Sequence, residues 1–152
     1  MDEGRLRTRM TSDDNKYKAM PHGNYSIVGS ARAEDYRLVF NKRGSDGTGK
    51  ANLVQDKSNH AEGIIYCIDL NGMSRLDIDE GVSSGHYRRD DVFEVLMGGK
   101  KITCFIYLAE KIEGGLKPTK EYLDYLLKGR NYLSSEYYEK LSKTEIADNL
   151  QH

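Results

Sequence analysis

The chain has 152 residues, of which 38% are hydrophobic and 31% charged, with a formal net charge of −1. That is enough apolar material for a single domain over 1–152 with a buried core, and too much for a disordered chain. The near-zero charge gives no broad electrostatic case for binding nucleic acid or an anionic membrane, and no apolar run reaches the roughly 20 residues that span a bilayer.

Residues 2–11 hold helix formers with a thin apolar face, Leu6 and Met10, which predicts a short helix leaning on another element. Ser12-Asp13-Asp14-Asn15 is turn material. Tyr25 to Arg32 and Tyr36 to Phe40 read as two strands, and Ala51 to Val54 resumes extended structure after a glycine-rich loop. Gly63 to Leu70 is strongly apolar and predicts a central strand. Asn71 can cap a short helix running through Leu76 and Ile78 and stopping near Gly81. His86–Leu96 and Lys101–Ala109 are β-rich runs joined by Met97-Gly98-Gly99-Lys100, a hairpin signal. Pro118-Thr119 opens a helix with Tyr122, Leu123, Leu126 and Leu127 on one stripe, which Gly129 can end. Ser134-Ser135-Glu136 starts a last helix carrying Tyr137, Leu141 and Ile146. Strands are many and mostly antiparallel, helices few and local. The expected class is α+β, with a curled sheet or small barrel.

Some apparent motifs fail on inspection. Gly44-Ser45-Asp46-Gly47-Thr48-Gly49-Lys50 imitates a phosphate-binding loop, but position 51 is Ala rather than a magnesium-ligating hydroxyl, and a strand rather than a helix follows. Asp77, Asp79 and Glu80 crowd three carboxylates into four positions, yet Val82 stands where a calcium-binding loop needs glycine, and no metal is assigned. His22, His60 and His86 lack a ligand-pair spacing. No signal-peptide pattern is visible, so a cytoplasmic location is expected, with Cys67 and Cys104 as reduced core thiols. Glu80 has two readings from pattern alone: an ordinary solvated acid at a helix end, or a carboxylate presented at the rim of a pocket.

The run Leu76-Asp77-x-x-Glu80-Gly81-Val82, followed by Ser84-Gly85-x-Tyr87, resembles the γ-glutamylcyclotransferase family. Tyr36 to Lys42, Ala51 to Val54, Glu62 to Tyr66, and the tail from Pro118 through Glu136-Tyr137 and Leu141 are similar to further family segments, in order and spacing, over roughly residues 2–145. The resemblance implies a small mixed β-barrel flanked by a few helices, and a cofactor-free reaction that releases 5-oxoproline and a free amine from γ-glutamyl amides. It assigns Glu80 as the catalytic general acid/base and Tyr137, Tyr87 and Gly81 as substrate-binding residues. Asp77 and Asp79 are expected to be structural or electrostatic neighbours. The chemistry suits one carboxylate. The substrate's own α-amino group is tethered near its γ-carbonyl, and such proximity is worth up to about 7–11 kcal/mol. What remains is a group that takes a proton from the ammonium and hands one to the leaving nitrogen, a task helped by an acidity tuned towards neutrality.

Family members begin with a strand ending in a Tyr-Gly-Ser-Asn type loop, whose backbone N–H groups hold the γ-glutamyl part. This sequence has no such motif, and Met1 to Leu6 looks like the segment that follows it. The expectation is a start just after the motif, an exposed sheet edge, and reduced activity, since one lost oxyanion donor costs on the order of 10²–10³ in rate. The expected partner is a small γ-glutamyl substrate, with no nucleic acid and no membrane, in a monomer or homodimer. The competing classes are a metabolite-binding module with the same pocket and a protein-interaction domain that uses the exposed edge.

Overall fold

The computed structural model describes residues 2–148. Helix α1 (Glu3–Thr11) is capped by Asp2, whose side chain accepts the Arg5 N–H. Two antiparallel hairpins follow: β1 (Tyr25–Arg43) with β2 (Gly49–Ile68), and β3 (Tyr87–Met97) with β4 (Lys100–Ala109). They join in the order β2-β1-β3-β4 through β1 and β3, with Arg32 opposite Leu96. Helix α2 (Leu70–Asp79) separates the hairpins, and α3 (Lys120–Leu127) and α4 (Ser135–Ser142) close the chain. The α+β class is the expected one, and all three ladders among the described residues are antiparallel.

The two strands expected at Tyr25–Arg32 and Tyr36–Phe40 are arms of one 19-residue strand. A bulge between Glu34 and Tyr36, with Asp35 at φ 62°, bends β1 without ending its ladder. Ala51–Val54 and Gly63–Ile68 are likewise arms of β2, joined by an extended polar stretch. The bend swings the outer arms back across the second hairpin. There the Asn52 Oδ1 accepts the Ala109 N–H at 2.9 Å, and the Tyr87 hydroxyl donates to the Ala51 carbonyl at 3.0 Å. These bonds curl the sheet towards a barrel. Its core is built from Ala33, Ala61, Phe93 and Val95.

The thin apolar face of α1 does lean on another element. Leu6 and Met10 are buried against Leu76 of α2, with Tyr66, Ile68 and Phe105 packed around them. Burying each such side chain is worth about 1.5–3 kcal/mol. The cap of α2 is Asp69 rather than Asn71: its carboxylate accepts the Gly72 N–H at 2.8 Å. Thr119 and Ser134 cap α3 and α4 through their hydroxyls. The Gly98-Gly99 turn has φ of 57° and 80°, the left-handed pair a tight hairpin needs. The last helix is shorter than expected: α4 ends at Ser142, so Ile146 lies beyond it.

The loop that imitates a phosphate site is the β1–β2 hairpin turn, and Ala51 lies on β2. Cys67 corrects an expectation: it is exposed rather than in the core. Tyr66 and Ile68 face the α1–α2 cluster, so the period-two alternation of the strand turns Cys67 outward. Cys104 is half-buried against the barrel core, and burial pushes its thiol pKa up, helped by the Asp90 charge. Among the described residues no helix is long and apolar enough to cross a membrane.

Candidate active site

The curled sheet, α1, the end of α2 and α3–α4 enclose a cavity of about 660 Å³. Its size is within the range of small-molecule sites. Glu80 reaches it from the C-terminal end of α2, where the chain stops because Gly81 adopts φ 61°. A Cβ added at Gly81 would lie 2.7 Å from the His86 ring, so this turn requires glycine.

The three carboxylates crowded in sequence are separated in space by their partners. Asp77 is held by the Arg89 guanidinium and by the Tyr107 hydroxyl, the latter at 2.7 Å. Asp79 has a side chain only 2% exposed; it accepts from the Tyr17 hydroxyl at 2.9 Å and pairs with Lys16 at 2.8 Å. Glu80 is 18% exposed, and its Oε1 accepts from Arg9 Nη1 at 3.1 Å. Arg9 is its only hydrogen-bond partner among the described residues, which leaves Oε2 for a ligand. Arg9 also lies 3.6 Å from Asp79, so one guanidinium of α1 bridges two neighbouring acids at the end of α2.

Around Glu80 the wall is aromatic and cationic. Tyr87 lines the cavity, but its hydroxyl proton is committed to the Ala51 carbonyl. Burial, followed by the neighbouring Tyr122 phenol and the Glu80 charge, holds its pKa well above the ordinary tyrosine value. Tyr122 accepts the Ala51 N–H at 3.0 Å, which leaves its own proton free to donate into the cavity. Burial raises its pKa, against the pull of that N–H. Tyr137 lines the cavity beside His60, with ring centroids 5.8 Å apart. Burial raises its pKa too, opposed by the Glu62 backbone N–H. Arg5 stacks over Tyr125 at 4.8 Å, and Lys50 over Tyr122 at 4.7 Å.

The structure thus brings Glu80, Tyr87 and Tyr137 to one cavity from three distant segments. Gly81 does not line it; its N–H and carbonyl are used inside the turn, with Ile78 and with Ser84 and His86. Sequence reasoning missed Arg9 as the partner of Glu80 and read Tyr122 as part of an apolar stripe. One signal was available: Arg5 and Arg9 are spaced i, i+4, so they share a face of α1 next to its apolar one.

Fold and site define a curled antiparallel sheet with helices around one cavity and a carboxylate at its rim. The AIG2-like family model matches residues 60–141. Human γ-glutamylcyclotransferase is 32% identical over 125 residues, 78% of this chain and 66% of the human protein. The bovine γ-glutamylcyclotransferase is 30% identical over 131 residues, covering 82% of this chain and 68% of its own length. A solved γ-glutamyl cyclotransferase structure superposes with a TM-score of 0.82 at 26% identity, covering 99% of this chain and 85% of that one. The chain belongs to the AIG2-like, γ-glutamylcyclotransferase family. It spans about two thirds of the length of the mammalian relatives it matches.

Proposed function

We propose that this chain is a cyclotransferase acting on γ-glutamyl amides, with Glu80 as the single proton-transfer group. The observation that carries the reading is the carboxylate of Glu80, held through one oxygen by Arg9 and presented to a cavity of small-molecule size. The family resemblance of the chain supports the substrate class. In the reaction the α-ammonium of the γ-glutamyl group gives a proton to Glu80. The freed amine attacks the γ-carbonyl carbon, and the ring C–N bond forms. Glu80 returns that proton to the departing nitrogen as the amide C–N bond breaks, then takes the second proton from the ring nitrogen and passes it to the released amine, which leaves as an ammonium. No water is consumed, and the products are 5-oxoproline and the amine. The Tyr122 hydroxyl, anchored by the Ala51 N–H, is the donor for the carbonyl oxygen as negative charge develops there.

The test is 5-oxoproline release from a panel of γ-glutamyl amino acids and amines. Wild-type turnover that falls by a factor on the order of 10²–10⁴ in Glu80→Gln, with unchanged circular dichroism, is the expected result. Turnover that survives in Glu80→Gln removes Glu80 from the mechanism. No turnover by a folded wild type refutes the cyclotransferase reading and leaves a binding module.

A further inference from the structure

Beyond Tyr137 the cavity does not end. A second space of about 180 Å³ continues into the barrel interior and shares Leu38, Leu53, Ile64, Ile106 and Tyr137 with the first. Its inner wall is made of the smallest side chains. Ala33 faces Ala61 across the β1–β2 ladder, and Ala31 faces Gly63, so four small residues lie side by side on one face. A Cβ built at Gly63 meets nothing within 4 Å, so the space beside it is open. The opposite wall is Phe93, Val95 and Cys104. An apolar recess of this size joined to a polar cavity is a feature to be explained. One carboxylate, Glu62, lines both spaces, and its oxygens are already engaged: they accept the Ser134 N–H and hydroxyl, each at 2.7 Å, and meet His60 Nε2 at 2.9 Å.

We propose that this interior space is a subsite for an apolar group on the amine that leaves, a branched aliphatic or aromatic side chain. The inference rests on the cyclotransferase reading above. The γ-glutamyl end of such a substrate carries an ammonium and a carboxylate; in the alanine-lined space Glu62 is already engaged by Ser134 and His60 and would repel the carboxylate, so burying that end there is costly. That end belongs at the polar part of the cavity, beside Glu80 and Arg5. Glu80 must also reach the departing nitrogen, so what lies beyond that nitrogen extends towards Tyr137 and the small-residue wall. The enzyme then selects its substrate by the bulk and apolarity of the amine.

The experiment compares kcat/KM for γ-glutamyl-alanine, γ-glutamyl-leucine and γ-glutamyl-phenylalanine in wild type and in Gly63→Val. Valine suits a strand, and the open space around Gly63 leaves it room to fold. Ala31→Leu narrows the same wall from the partner strand, and thermal melting checks both variants. Wild type is expected to prefer leucine or phenylalanine over alanine by about tenfold or more, the discrimination an apolar pocket provides. Either substitution is expected to reduce that preference by about tenfold, through KM more than kcat. Turnover without a preference for the larger amines, or a preference that both folded variants retain, overturns the subsite and leaves the cyclotransferase reading standing. No turnover of any substrate refutes the cyclotransferase reading itself, and this role for the space falls with it.

Discussion

Arg75 ties the site together without entering it. It lies on α2, is 1% exposed, and has no carboxylate partner among the described residues. Its guanidinium donates to four backbone carbonyls: Pro21 at 2.9 Å, Arg9 at 3.0 Å, and Ser12 and Met20 each at 2.8 Å. It also stacks at 4.4 Å over Tyr17, the residue that donates to Asp79. Arg75→Met keeps the stem and removes every donor. Hydrogen bonds to a charged group contribute about 1.5–3 kcal/mol each, so four give a ceiling of about 6–12 kcal/mol. Water entering the loosened segment replaces part of this, and a net loss of about 4 kcal/mol is expected. At about 2–4 °C per kcal/mol for a chain of this size, Tm should fall by about 8–16 °C. Lys in place of Arg offers three donors from a point charge and should fall in between. Because the same bonds fix α1 against α2, hydrogen exchange should also rise from Arg9 through Pro21. Melting within about 3 °C of wild type for Arg75→Met would refute the view that this guanidinium is the clamp.

Three other outcomes are expected. Tyr122→Phe removes the proposed carbonyl donor and the acceptor of the Ala51 N–H; kcat should fall on the order of 10²-fold with a smaller change in KM, and unchanged kcat would exclude the donor role. Burial works to raise the pKa of Glu62, but the Ser134 N–H and hydroxyl and His60 prevail and hold it below its ordinary 4.5. A lowered folded value stabilises above the unfolded pKa and is lost as pH falls through the folded one. The Tm advantage of wild type over Glu62→Gln should therefore be present at pH 6 and shrink below about pH 4.5, and a constant difference down to pH 3 would contradict this. Gly81→Ala at φ 61°, with its Cβ 2.7 Å from His86, should cost about 1–3 kcal/mol in chemical denaturation and displace Glu80; a neutral result would show that the turn relaxes freely.

The sequence by itself determined the local pieces of this protein. The α1 face of Leu6 and Met10, the Gly98-Gly99 turn, and the starts of α3 at Thr119 and α4 at Ser134 depend on hydrogen bonds and contacts between near neighbours. Period and capping residues report those directly. The stop at Gly81 that presents Glu80 is of the same kind. Whether β1 ends or bends at Asp35 was not legible, because a bulge and a turn use the same residue types while only the partner strand decides which forms. The sheet's curl follows from that bend, and the cavity follows from the curl. The pairs that shape the cavity are equally remote: Arg9 meets Glu80, and Ala51 meets Tyr122, each across 71 positions. An arginine on a helix carries no mark of the acid it will face, and a tyrosine on an apolar stripe carries none of the amide it will bond. Tertiary structure decided those contacts, because packing brings distant segments within bonding distance only after the whole sheet has bent.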